Sequence, residues 1–154
     1  MNNLLTSSVC VILFTFVMIN NCYAGFTYTI CDESQLKGIV NWINVSDCDP
    51  SLTDRCIFKK GTNVTISTSE STDSLKVKIT GTVLGLSVPW RVNPDNACAH
   101  GVNCPVAANV DNVFMLSMPI SPAYPSIPVQ VRLRLEDSRK RPHFCAQFPV
   151  KIDN

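Results

Sequence analysis

Two histidines, eight cysteines and two pairs of neighbouring carboxylates are the residues of this 154-residue sequence with the most chemistry to offer. His100 lies between Cys98 and Cys104, and His143 stands two positions before Cys145. Neither belongs to an HExxH motif. There is no GxSxG turn to expose a nucleophilic serine, and no glycine-rich loop ahead of a lysine to cradle phosphate. Asp32-Glu33 and Glu136-Asp137 are adjacent in sequence. Adjacent strand residues point to opposite faces, so these pairs read as solvated turn residues rather than as an acid and a base sharing a substrate. The expectation is a protein that is not an enzyme and needs no cofactor.

The cysteines take their meaning from the compartment. Val9 to Ile19 is a run of 11 residues, apolar but for Thr15, followed by Asn20, Asn21 and then Cys22-Tyr23-Ala24. Spanning a bilayer takes about 20 residues, so the run is too short to be an anchor. The small residues at Cys22 and Ala24 suit cleavage after Ala24, and residues 1–24 read as a secretory signal peptide. A mature domain of 25–154 is expected, soluble, monomeric and extracellular, with the endolysosomal lumen as a second destination.

Cleavage leaves Cys31, Cys48, Cys56, Cys98, Cys104 and Cys145, an even set in an oxidising compartment. Six cysteines allow 15 pairings. The short spacings make Cys48 with Cys56 and Cys98 with Cys104 the simplest choice, which leaves Cys31 with Cys145. A zinc site is the competing reading; the lack of any CxxC pair and the secretory route both disfavour it, so no metal is expected. The sequons Asn44-Val45-Ser46 and Asn63-Val64-Thr65 fit the same route, and predict that Asn44 and Asn63 face solvent.

A hydrophobic content of 45% against 16% charged residues argues for a packed domain, and a formal net charge of +1 gives no field for nucleic acid. In Pro128–Asp137, Val129, Val131, Leu133 and Leu135 alternate with Gln130, Arg132, Arg134 and Glu136, the period of a half-buried strand. Leu75, Val77 and Ile79 alternate in the same way, as do Val64 and Ile66. Further strands are expected at Ile39–Val45, Thr82–Val92, Val113–Met118 and Phe144–Ile152, with Phe26–Ile30 leading. Helical periodicity is lacking, and the 10 prolines disfavour helices. About seven short strands separated by turn residues indicate an all-β, immunoglobulin-like sandwich of two sheets. Pro119, Pro122, Pro125 and Pro128 recur every third residue, which predicts a stiff extended connection displaying Ile120, Tyr124 and Ile127 beside a pocket. Small disulfide-rich domains usually have thin cores. The apolar surplus here is compatible with sheets splayed around an apolar ligand, with a well-filled core as the competing reading.

The segment Gly81-Thr82-Val83-Leu84-Gly85-Leu86-Ser87-Val88-Pro89-Trp90, followed by Asp95-Asn96-Ala97-Cys98 and Gly101-Val102-Asn103-Cys104-Pro105, resembles the ML lipid-recognition domain. Lys60-Gly61, Leu116-Ser117-Met118-Pro119-Ile120, Tyr124-Pro125-Ser126-Ile127, Leu135-Glu136-Asp137, Phe144-Cys145 and Pro149-Val150-Lys151-Ile152 extend the likeness over Cys31 to Ile152. The resemblance implies a seven-stranded sandwich with an apolar cavity between its sheets, and the same three disulfide pairings. It implies a cavity entrance bordered by Trp90, Ile120 and Tyr124, and walls that include Val64, Ile66, Val88, Val131, Leu133 and Phe58. Plain core packing competes for each wall position. The implied function is carriage of a sterol, fatty acid or similar ligand, with delivery to membranes or a membrane receptor. The alternative is a secreted recognition module of innate immunity or chemical signalling, acting through receptor contacts. Trp90 replaces the family's usual Phe, Leu133 replaces a Trp common among vertebrate members, and the Cys48 to Cys56 loop is longer. These exchanges reshape the cavity and leave the identity of the cargo open.

Overall fold

The computed structural model describes residues 28–31, 36, 40–45, 48, 55–59, 63–70 and 75–153, with backbone alone for 40–42 and 63–70. The signal peptide expected at 1–24, Phe26, Asp32-Glu33, Lys60-Gly61 and the side chains of Asn63, Val64 and Ile66 lie outside the described residues.

Nine strands are described: β1 (Thr29–Ile30), β2 (Val40–Val45), β3 (Cys56–Lys59), β4 (Asn63–Glu70), β5 (Lys76–Val83), β6 (Leu86–Trp90), β7 (Asn112–Pro119), β8 (Pro128–Glu136) and β9 (Pro142–Asp153). They form a six-stranded sheet in the order β1-β9-β8-β5-β6, with β3 also paired to β9, and a three-stranded sheet in the order β2-β4-β7. The fold is an all-β immunoglobulin-like sandwich. One short helical turn, Ala97–His100, sits between β6 and β7.

The alternation along β5 and β8 determines their faces. Val77 and Ile79 of β5, and Val129, Val131, Leu133 and Leu135 of β8, are buried, while Lys76 and Lys78 are exposed. Strand β9 is buried continuously over Pro142–Ala146, which befits a central strand flanked by β8 on one side and by β1 and β3 on the other. The inner faces meet in a cluster that includes Phe58, Phe114, Leu116, Phe144 and Phe148.

Three elements differ from the sequence reading. Cys56–Lys59 is a strand that pairs parallel to β9, with Cys56 opposite Val150 and Lys59 opposite Asp153. Together with β1, which spans only two residues, it raises the count to nine. The single strand expected at Thr82–Val92 is instead a hairpin. Val83 pairs with Leu86, and Leu84 and Gly85 both take positive φ, 50° and 83°. Such a two-residue turn matches the right-handed twist of its strands, and glycine enters that region without a Cβ penalty. Finally, the connection after β7 is not extended throughout. The Tyr124 amide donates to the Ser121 carbonyl at 3.0 Å, and the Ala123 amide donates to the Ser121 hydroxyl at 3.2 Å. Pro122 occupies the second turn position, where its fixed φ favours the bend over a continued polyproline helix.

The disulfides join Cys31 to Cys145, Cys48 to Cys56 and Cys98 to Cys104. Cys31 also donates its amide to the Cys145 carbonyl at 3.0 Å, so this bridge fastens neighbouring backbones within one sheet rather than crossing between sheets. It closes a loop with a sequence separation of 114. By the chain-entropy model that closure contributes about 4–5 kcal/mol.

Candidate functional site

A cavity of about 620 Å³ opens at one end of the sandwich. Its floor is the inner face of the larger sheet: Gly81 and Val83 of β5, Val88 and Trp90 of β6, Val129 of β8 and Ile152 of β9. Pro119, Ser121, Tyr124, Pro125 and Ile127, at the end of β7 and in the connection to β8, form the opposite wall, and Arg91 completes the rim.

The hollow follows from register. On β5, Gly81 pairs with Val88 of β6 on one side and Val131 of β8 on the other, so directly paired residues share its face. A glycine there leaves out one side chain from the floor, and a Cβ added to it would lie 3.0 Å from Val129 Cγ1. The turn at Ser121–Tyr124 throws the connection across the gap. Ile127 is tied back to the sheet by the bond that its carbonyl accepts from the Ile152 amide at 3.0 Å. Trp90 and Tyr124 face each other over the mouth in an edge-to-face contact, with ring centroids 5.5 Å apart. Such a pair contributes about 0.5–1.5 kcal/mol beyond burial.

Of the residues anticipated at the site, Trp90, Tyr124 and Val88 border this cavity. Ile120, Phe58, Val131 and Leu133 do not. All four are essentially fully buried among the core cluster. The four inward residues of β8 share one face, and of these Val129 lines this cavity. Gly81, Arg91, Ser121, Val129 and Ile152 line the cavity without having been anticipated there. For Val129 and Ile152 the alternating pattern announced an inward face but not which part of that face is empty. Arg91 carried no pattern beyond its place next to Trp90. Asn44 is exposed on β2.

The cavity adjoins an uncommon concentration of exposed apolar side chains. On the β5–β6 hairpin Leu84 is 100% exposed, Leu86 73% and Val88 59%. Contiguous apolar surface of this kind marks a place where a protein meets an apolar partner.

The polar residues that suggested chemistry hold structure at other points. Glu136 and Asp137 are buried rather than solvated, contrary to the turn reading. The Glu136 carboxylate pairs with Lys78 at 2.6 Å and Arg134 at 3.0 Å. Asp137 accepts from the amides of Arg139 and Arg141 at 2.8 and 2.9 Å and from the Arg141 guanidinium at 2.6 Å, with His143 Nε2 3.4 Å away. Burial pushes the Asp137 carboxyl upward. The hydrogen bonds from Arg141, His143 and the Arg139 amide outweigh it, and hold the group well below the ordinary carboxylate range. His100 bonds to the Pro94 carbonyl at 2.8 Å and meets Phe114 edge-on, which anchors the loop before β7.

Fold and cavity together define the class: an immunoglobulin-like β-sandwich braced by disulfides, whose distinctive site is an apolar space rather than a set of reacting groups. The family model of the ML domain matches residues 25–152, and the chain belongs to that family. The NPC intracellular cholesterol transporter 2 of Danio rerio is 30% identical over 127 residues, covering 80% of this chain and 83% of its own. The Bos taurus protein of the same name is 29% identical over 120 residues, covering 75% and 78%. Among solved structures, a Niemann-Pick type C2 protein from the Japanese carpenter ant superposes with a TM-score of 0.75 at 21% identity, covering 83% of this chain and 100% of that one.

Proposed function

We propose that this protein is a lipid carrier that takes a sterol, fatty acid or similar small apolar molecule into the cavity between Trp90, Tyr124 and the inner face of β5 and β6, and delivers it to membranes or receptors. The observation that carries the reading is the apolar hollow of about 620 Å³, within the size range of small-molecule sites, opening beside the exposed Leu84, Leu86 and Val88. The relatives named as cholesterol transporters support a lipid cargo. The three disulfides favour a secretory route to the extracellular space or the endolysosomal lumen.

A ligand that buries on the order of 400 Å² of apolar area gains about 10 kcal/mol from transfer. Association and ordering take back several kcal/mol, leaving an affinity of roughly micromolar to submicromolar order. Apolar walls select by shape and select loosely. The test is titration of the purified protein with a fluorescent sterol and a fluorescent fatty acid. Saturable uptake of at least one is expected, and failure to take up either overturns the reading.

A further inference from the structure

The two sheets protect their outer faces differently. On the larger sheet, the outward positions of β5 and β8 carry Lys76, Lys78, Arg132 and Arg134. Charges of this kind keep an exposed sheet in water and turn other strands away. The three strands of the smaller sheet read VNWINV, NVTISTSE and NVFMLSMP, and hold a single charged residue, Glu70 at the end of β4. On β7 the inward Phe114, Leu116 and Met118 are buried, while outward Val113 is 44% and Met115 53% exposed. Apolar side chains thus stand in water on a face that lacks the charges of its counterpart, and such surface marks a place that something covers.

The register places a candidate beside that strip. Asn44 of β2 pairs with Ser67 of β4, and Ser67 pairs with Met115 of β7. Directly paired residues share a face, so Asn44 and Met115 stand on one outer row, two strand spacings or ~10 Å apart. Ile43 and Val45 on either side of Asn44 are buried, and Asn44 is exposed. It opens the acceptor triplet Asn44-Val45-Ser46. On the other side of the strip lies the Cys98–Cys104 loop, where a Cβ added to Gly101 would lie 3.0 Å from the Val113 carbonyl oxygen and 3.8 Å from Met115 Cε. The strip is therefore bounded by that loop and by the row that leads to Asn44.

We propose that Asn44 carries an N-linked glycan whose first sugars lie over Val113 and Met115 and complete the outer face of the smaller sheet. The proposal rests on the secretory route and uses no part of the cavity. The Asn44 carboxamide nitrogen bonds to the anomeric carbon of an oligosaccharide held on a lipid-linked diphosphate. The carbon–oxygen bond to the diphosphate breaks, the nitrogen gives up a proton, and the lipid diphosphate leaves. A pyranose ring offers C–H groups on its face and hydroxyls around its edge, so it covers apolar side chains and keeps its polar groups in water. Asn63 opens the second triplet, but it pairs with Pro119, four positions along β4 from Ser67 and so ~13 Å from the Asn44 row.

The test uses the protein made in a secretory eukaryotic host and exposed to dilute hydrogen peroxide. Peptide mass spectrometry reads the glycan at Asn44 and sulfoxide formation at Met115, with the buried Met118 as internal reference. Asn44 is expected to be occupied, and Met115 of the glycoprotein to oxidise about threefold more slowly than in Asn44→Gln or in Ser46→Ala, which keeps Asn44 and destroys the triplet. Asn63→Gln leaves this protection intact. Trimming a high-mannose glycoprotein to one N-acetylglucosamine per site leaves the chain unaltered, and brings the rate to within about twofold of that in Asn44→Gln. A bare Asn44 overturns the proposal, as does an occupied Asn44 with equal Met115 oxidation before and after trimming. Protection lost in Asn63→Gln assigns the strip to the other glycan, and protection that grows with protein concentration whatever stands at residue 44 assigns it to a second copy of the chain. Either result overturns the proposal.

Discussion

Trp90 is the residue at which the cavity reading is most exposed to refutation. It lies between solvent and ligand space, borders the hollow and packs edge-on against Tyr124 at 5.5 Å. A buried Trp covers roughly 200 Å²; if about a third of that meets the ligand, Trp90→Ala removes ~70 Å² of contact, or ~1.7 kcal/mol at ~25 cal/mol per Å². That corresponds to about a 20-fold weaker dissociation constant. The fold loses less, on the order of 1–2 kcal/mol, because Trp90 is only partly buried and its loss leaves an open rim rather than a sealed void. Thermal unfolding followed by circular dichroism checks that the variant remains folded, and titration with a fluorescent lipid reads the affinity. Trp90→Phe is expected to fall between the two, since it keeps an aromatic ring of smaller area. A folded Trp90→Ala protein with wild-type affinity would refute the reasoning, because no residue so placed could be indifferent to a ligand in that space.

Gly81→Val sets a larger side chain where even a Cβ lies 3.0 Å from Val129, and displaces that residue into the hollow; ligand uptake should fall at least fivefold with a stability cost of about 1–3 kcal/mol, measured by titration and denaturant unfolding. Leu84→Asn relieves a non-glycine residue at φ 50° and removes a fully exposed apolar side chain; stability should rise by a few tenths of a kcal/mol while ligand transfer to vesicles slows, with unchanged equilibrium affinity. Asp137→Asn should lower the melting temperature by a constant margin between pH 7 and pH 5. The native carboxyl is held below its unfolded value, so its contribution is complete above a pH of about 4 and is lost as the pH falls further. The margin should therefore shrink at pH 3, and a margin that widened on acidification would show that the carboxylate is not the favoured native form.

The legible parts of this fold are those in which one short segment carries its own instruction. Strands β5, β7 and β8 show period two because each has one face in the core and one in water. Cys56–Lys59 is equally alternating, yet its partner is β9, nearly a hundred positions on, and nothing local announces a parallel pairing. The hairpin turn escaped notice because Leu84 occupies a position that Asn or Asp usually marks. Glu136 and Asp137 are buried by partners that tertiary register delivers: Lys78 from β5, and Arg141 and His143 from around the start of β9. For the cavity, apolar alternation identifies inward faces but not the line along which two facing layers part. Val129 and Val131 read identically in sequence, and one lines open space while the other has no exposure.

Strand β9 meets different demands at its two ends. Cys145, with its bridge to Cys31, and the cluster of Asp137, Arg141 and His143 lie towards its start, whereas Ile152, seven residues later and so about 23 Å along the strand, reaches the ligand space. The Cys31–Cys145 bridge and the Asp137 cluster thus stand apart from the residues that line the cavity, whereas the Cys48–Cys56 bridge lies nearer to them, with Cys56 opposite Val150. Rim residues such as Trp90 can therefore be exchanged, and the mouth reshaped, without touching the Cys31–Cys145 bridge or that cluster.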